Sequence, residues 1–347
     1  MGKTSAATAA NSTIKRHFEL AADGLEPALR WAAGSPAEHA DWRRAFSGRL
    51  KRLVGERPER VPLEVRWDEV ADLGTVVRRK IYVRSEAHYW VPAYYFVPKQ
   101  VRDRTPAILC LHGHSGIVPY IREGDAAQRR KCREGDLDYA VHLAEHGYIT
   151  LAAVQRGWNE TALPEDRDRG THSCHRVTMD AFLLGMTPVG LRCWDASRLV
   201  DFLETQEPVD RARIGVAGLS GGGTTGLFLT ALEPRISLAM IGGYYCTFRD
   251  SIFSIYHCTC NCVPDLMRWG EMREIAAVFA PKPMLIIAGT RDEIFPIAAT
   301  RRAFRELAEV YELLGAPGNL DRDFFNGPHA WNHRKTVPFL RRHWGRP

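Results

Sequence analysis

The stretch GVAGLSGGGTTG, residues 215–226, decides how the rest of the chain is read. Within it, Gly218-Leu219-Ser220-Gly221-Gly222 follows the pattern G-x-S-x-G. Alone the pattern is weak, because common small residues produce it by chance in roughly one such chain in ten. Its surroundings give it weight. A short apolar run, Ile214–Ala217, leads straight into it, and a helix-like segment leaves it. A serine thrust out on a strand-to-helix turn has strained backbone dihedrals. Side chains two residues to either side would collide there, and glycine avoids the collision. An unreactive Gly-Ser loop is the bland alternative, and the flanking strand and helix make it the weaker one.

Further out, short apolar runs recur: AILCL at 107–111, ITLAAV at 149–154, RIGVAG at 213–218, ISLAMIGG at 236–243 and PMLIIAG at 283–289. Strands apolar on both faces belong to a parallel sheet covered by helices on each side. The intervening helical stretches end on stop signals: Leu137–His146 at Gly147, Thr224–Leu232 before Pro234, and Arg301–Leu314 at Gly315. Upstream, Leu63–Val70, Val76–Val83 and Val91–Val97 follow one another with nothing helical between them, which predicts a hairpin or meander. From Ile14 to about Val54, apolar residues such as Phe18, Leu29, Trp42, Phe46 and Leu50 recur at helical spacing, broken by Gly34-Ser35-Pro36 into two helices. The expected architecture is α/β: a doubly wound, mostly parallel sheet with antiparallel N-terminal strands. Residues 1–60 form a helical extension, packed against the main domain of 61–347 or over its mouth. Long interruptions at 113–136 and 157–190, and a third after ISLAMIGG, are expected to shape a site.

A serine is a poor nucleophile without a base to take its proton, and that base needs a carboxylate to orient it. Asp292 lies just past PMLIIAG, 72 residues after Ser220, with Glu293 as the adjacent fallback. The ordinary alternative for Asp292 is a turn or helix-capping acid. His329 follows the extended stretch Asp321–Phe325 and the turn Asn326-Gly327-Pro328. A loop directly after a last strand can swing toward a nucleophile, so His329 is favoured over His333, which falls in the next helix. The order Ser, Asp, His suits this architecture.

An oxyanion needs two donors. The backbone N–H of Gly221, at the start of a helix, is one expectation. The other is the N–H of His114, in the Leu111-His112-Gly113-His114-Ser115-Gly116 loop that follows AILCL, with Ser115 as competitor. The side chains of His112 and His114 are read as structural or substrate-contacting. Trp158, Tyr244 and Trp331 stand at strand ends of the same sheet edge and are candidate pocket walls, with plain packing as the alternative. His257-Cys258-Thr259-Cys260-Asn261-Cys262 lacks the paired C-x₂-C spacing of zinc sites and reads as packing or pocket-lining cysteines. His172-Ser173-Cys174-His175 reads the same way, so neither metal nor organic cofactor is expected.

Several classes are excluded by composition. The 347 residues are 45% hydrophobic and 25% charged, ordinary for a globular chain. The net charge of +6 comes from interleaved signs. The basic cluster Arg129, Arg130, Lys131 and Arg133 is bracketed by Glu123, Asp125, Glu134, Asp136 and Asp138, a solvated face rather than a nucleic-acid patch. No apolar run is long enough for a membrane span. Residues 1–12 are small and polar, without the apolar centre of a signal peptide, and Gly2-Lys3-Thr4 lacks a glycine loop before it. Eight cysteines in so long a chain suggest a reduced, cytoplasmic protein. A homo-oligomer is compatible with all of this.

Taken together, the HGHSG loop at 112–116, the GLSGGG elbow, AGTRDEIFP at 288–296 and GPHAW at 327–331 resemble the α/β-hydrolase superfamily. The likeness is to its bacterial esterase-like branch, near acetylxylan esterases and dienelactone hydrolases, over about residues 75–347. It implies an α/β-hydrolase fold, a triad of Ser220, Asp292 and His329, and cleavage of a small-molecule carboxylic ester through an acyl-enzyme. Two departures bear on substrate: the elbow lacks the Gln that acetylxylan esterases commonly place after the serine, and the N-terminal helices are longer than a minimal hydrolase needs. An exopeptidase, a carbon–carbon bond hydrolase with the N-terminal helices as its cap, and a silent binding protein on the same fold are the other readings.

Overall fold

β-Branched and aromatic residues in partial alternation make strands with one buried face, and the chain enters its sheet through three of them. β1 (Val65–Asp72), β2 (Val76–Glu86) and β3 (Tyr89–Pro98) form the expected antiparallel meander. The computed structural model describes residues 14–347; the polar lead with its Gly-Lys-Thr lies outside the described residues. After β3 the central strands are mainly apolar. β4 (Thr105–Leu111) and β5 (Ile149–Ala153) are buried at every position, as is β8 (Met284–Gly289) after β6 (Val209–Leu219) and β7 (Ile236–Gly242). With β9 (Leu320–Phe325) they complete one sheet among the described residues, in the order β1-β2-β3-β5-β4-β6-β7-β8-β9. β3 meets β5 antiparallel, and every later pairing is parallel.

Alternation decides which way each strand residue points. In β4, Leu109 and Leu111 join one apolar cluster with Leu227 and Phe228 of the helix Gly221–Leu232 and Leu199 of the helix Pro188–Thr205. Ile108 and Cys110 join a second cluster on the other face, with Tyr139 and Leu143 of the helix Tyr139–Glu145 and Leu340 of the helix Thr336–Trp344. The sheet is thus covered on both sides, the doubly wound arrangement expected. β6 begins four residues before the apolar run, because Val209 already pairs with Thr105. The polar sequence Asp210-Arg211 hides that start. The two long interruptions are not bare loops: they contain the short helices Ala126–Gly135, Pro164–Asp168 and Cys174–Leu183.

Two helices, Ile14–Asp23 and Pro36–Leu53, precede the sheet. The second begins with Ser35, whose side chain accepts the Glu38 N–H, and with Pro36, whose missing N–H costs nothing in a first turn. Its Phe46 and Leu50 are fully buried in the first apolar cluster beside Met272 and Ile275. Each such side chain contributes about 1.5–3 kcal/mol. The Trp31 N–H donates to Glu274 Oε1 at 3.0 Å, and Trp42 Nε1 to the Leu29 carbonyl at 2.8 Å. The extension is therefore pinned to the body of the sheet. It supplies no residue to the lining of the cavity of about 750 Å³ that Ser220 enters.

Candidate active site

The chain leaves β6 at Leu219 and enters the helix Gly221–Leu232 at once. Ser220, at the joint, has φ 57° and ψ −120°. That positive φ is strained for a residue with a side chain, and it projects Ser220 beyond the sheet edge. The glycines are explained by contact. A Cβ on Gly218 would stand 2.2 Å from the Gly222 carbonyl oxygen, and one on Gly222 would stand 1.8 Å from that of Leu111. Gly221 is the first helical residue, so its N–H has no intrahelical acceptor. A Cβ there would meet the imidazole of His114 at 2.8 Å. The space that a side chain at 221 would take is thus filled from outside by a ring.

Parallel topology brings the ends of β4, β7, β8 and β9 to the same edge. Past β8, Asp292 is buried, and its Oδ1 accepts the N–H groups of Ile294 and Phe295, each at 3.0 Å. Its Oδ2 lies 2.7 Å from Nδ1 of His329. A carboxylate so engaged is an acceptor, so Nδ1 carries the proton and Nε2 keeps its lone pair. That Nε2 is buried with no protein partner among the described residues. The ring rests over Gly243, where a Cβ would be 2.9 Å from Cε1, and the neighbouring Gly242 carbonyl accepts the Ser220 N–H at 2.9 Å. Glu293 is exposed. His333 is committed elsewhere: its Nε2 is 3.0 Å from Asp138 Oδ1, and its ring stacks on His142 at 3.9 Å.

The loop after β4 is held by buried groups. His112 places Nδ1 2.8 Å from the Gly113 carbonyl, and its Nε2 accepts the Gln155 N–H at 3.0 Å. Complete burial pushes its pKa down to about 3, so the ring is neutral and structural. Tyr120 Oη accepts the Gly113 N–H at 2.9 Å, which removes that amide as a free donor. His114 and Ser115 follow, and both line a cavity of about 750 Å³ with Ser220, Pro328, His329 and Phe295.

The three aromatic candidates do not line that cavity. Trp158 packs its ring against His112, His114 and His172, with centroids 5.7, 5.5 and 4.3 Å apart. Tyr244 is buried against Phe295, and Trp331 lies on Tyr139 over Gly242. A strand-end position puts a residue near the edge, but these rings turn inward to fill space beneath it. The aromatics that do reach the cavity are Tyr120, Phe295 and Tyr256, the last 96% exposed at its rim. The signal of Tyr256 in the sequence, one tyrosine in a long irregular segment, was indistinct.

One group of side chains was divided in the sequence and is joined here. Cys174 begins the helix Cys174–Leu183, while Cys258 and Cys260 lie in the segment after β7. Together with His114 they place four ligand-type atoms within 4.8 Å of one another, His114 Nε2 being 3.2 Å from Cys260 Sγ. Cys262 is exposed and outside the group. Spacing within either stretch could not show this, because the partners are contributed by three different loops.

A family model described as "Abhydrolase family" matches residues 35–340. The chain belongs to the Abhydrolase family. The match begins in the N-terminal extension and takes in every strand. Among curated proteins, "Putative hydrolase YtaP" of Bacillus subtilis is 25% identical over 277 residues, 77% of this chain and 87% of that one. Among solved structures, a Bacteroides fragilis protein described as a "putative acetyl xylan esterase" superposes with a TM-score of 0.82 at 17% identity, covering 95% of this chain and 94% of its own. A glucuronoyl esterase from Solibacter usitatus gives 0.67 at 15% identity, covering 92% and 98%. These likenesses confirm the α/β-hydrolase fold.

Proposed function

We propose that this member of the family is a serine carboxylesterase acting through an acyl-enzyme. The observation that carries the reading is the Asp292–His329 pair at 2.7 Å, with the unpartnered Nε2 of His329 beside the cavity that Ser220 enters at φ 57°. In this reading His329 Nε2 takes the Ser220 hydroxyl proton as Oγ attacks the acyl carbon. Asp292 holds the ring in the productive tautomer and stabilises the imidazolium. The N–H groups of Gly221 and His114 receive the developing oxyanion; Tyr120 already occupies that of Gly113. His329 then protonates the leaving alcohol, and a water deprotonated by the same nitrogen releases the acid. No step calls on a cofactor.

The substrate is proposed to be a small ester with a polar alcohol. Supporting this, the cavity is of small-ligand size and carries Ser115, His175, Thr259 and Asn261, with Tyr256 on its rim. The proteins of similar fold include an acetyl xylan esterase and glucuronoyl esterases by name. A carbon–carbon bond hydrolase would use the N-terminal helices as a cap, and those helices contribute nothing to the cavity wall.

The test is hydrolysis of p-nitrophenyl acetate and labelling by a serine-reactive fluorophosphonate. Native protein should do both, and Ser220→Ala neither. Full hydrolysis by Ser220→Ala, or native protein that resists the label, overturns the mechanism.

A further inference from the structure

The side chains of His114, Cys174, Cys258 and Cys260 play no direct part in the ester mechanism, yet their ligand atoms converge. Cys174 and Cys260 are buried, and His114 and Cys258 are partly so. Three sulfurs and one imidazole nitrogen form the donor set of a structural zinc site, in which bonds of about 2.0–2.3 Å put the donors roughly 3.5–3.8 Å apart. Separations within 4.8 Å need only small side-chain movements to reach that geometry. Thiols left to one another here would be three weak donors with few acceptors.

Arg192 is a second, independent observation. It is buried, at 3% exposure, and its Nη2 lies 3.3 Å from Cys174 Sγ and 2.9 Å from the Arg156 carbonyl. No carboxylate lies within ion-pair distance of it among the described residues, so this buried cation lacks a conventional counter-charge. Zn²⁺ with three thiolates and a neutral imidazole carries a net charge of −1, which Arg192 would balance.

We propose that His114, Cys174, Cys258 and Cys260 bind one Zn²⁺ in a closed tetrahedral site that ties three loops of the cavity wall together. Four protein ligands fill the coordination shell, so the ion is structural rather than a Lewis acid for substrate. Binding Zn²⁺ releases the protons of whichever of the three thiols are not already ionised, and nothing is oxidised or reduced. The imidazole of His114 is also the ring packed against Gly221. Fixing it through Nε2 would hold the loop whose backbone N–H is assigned to the oxyanion; that consequence, unlike the site itself, rests on the esterase reading.

Metal analysis of the full chain, purified without chelator from zinc-supplemented cells, should find about one zinc per chain. Cys262→Ser should retain it, and Cys174→Ser and Cys260→Ser should lose most of it. To separate loss of the metal from loss of the fold in those two variants, chelator-stripped, reduced wild type is also titrated with Co²⁺. It should develop the intense visible bands and thiolate charge-transfer absorption of a tetrahedral cobalt–thiolate centre. Native protein without stoichiometric metal and without the cobalt spectrum overturns the site. So does full zinc in Cys260→Ser, or a disulfide among these three cysteines in freshly purified protein. The effect on the reaction is read separately: stripping should slow fluorophosphonate labelling about tenfold, with recovery on adding Zn²⁺. Unchanged labelling would refute that link, whereas stoichiometric zinc in a protein that never labels would uphold the site and remove the esterase reading.

Discussion

Ser220 stands between two constellations built in different ways. On one side are Asp292 and His329, each placed by the loop leaving a neighbouring parallel strand and joined by one 2.7 Å contact. On the other side are His114, Cys174, Cys258 and Cys260, drawn from the loops after β4, β5 and β7. The first side is short-range with respect to the sheet: once strand order is known, a residue just past a strand end has only one place to be. The second depends on how long, irregular segments fold back over that edge. The comparison teaches that strand ends fix where Asp292 and His329 meet, while the loops decide which side chains gather on the other side of Ser220.

The largest expected effects break the first side. Ser220→Ala and His329→Ala should each lower kcat/KM for p-nitrophenyl acetate by about 10⁴-fold or more, and the double variant should be scarcely worse, because the residues act as a unit. Asp292→Asn should cost about 10³–10⁴-fold through loss of the orienting carboxylate. His333→Ala serves as the contrast: it removes the pair with Asp138 and should leave kcat/KM within about threefold, at a cost near 1 kcal/mol in stability. A His333 variant as inactive as the His329 variant would overturn the assignment of the base.

Gly221→Ala tests where the two sides touch. Its new Cβ would press on the His114 ring at 2.8 Å, so kcat should fall about 10–100-fold with a small change in KM. Unchanged kcat would show that the ring yields freely. A smaller effect concerns the buried neighbour of His114. His112 has a pKa of about 3 in the fold, against about 6.5 in an unfolded chain. Below about pH 6.5 the unfolded state takes up a proton that the fold refuses. Stability should therefore fall with pH across that window, by at most about 1.4 kcal/mol per unit from this group. Urea unfolding of His112→Gln should show a correspondingly shallower slope between about pH 6 and pH 4, and an unchanged slope would place the acid sensitivity elsewhere.

The difference between the two sides is also the difference in what could be read from residues. Strand runs of four to eight apolar residues and the Gly-Leu-Ser-Gly-Gly turn are local patterns, so the sheet, the elbow and the candidates Asp292 and His329 were all legible. The antiparallel meander was legible for the same reason. Trp158, Tyr244 and Trp331 were misassigned to the pocket wall because sequence position locates a backbone at the sheet edge without saying where a side chain turns. Packing sent all three rings inward. Tyr256, at the rim, had no local pattern to mark it. In the sequence the cysteines fall in two separate stretches, and nothing there ties them to His114, whose ring reads as structural or substrate-contacting.

By itself the sequence determined the class of sheet, the strained turn at Ser220 and the order in which Asp292 and His329 follow it. Periodicity and glycine sterics act over a few residues, and they leave their mark in the order of the letters. Tertiary structure brought His329 rather than His333 to Asp292, and it alone decided that the N-terminal helices stay off the cavity and that His114 joins three cysteines beside Arg192. Those outcomes depend on contacts between segments from about 40 to more than 200 residues apart, whose relative positions are set only when the two apolar faces of the sheet are covered.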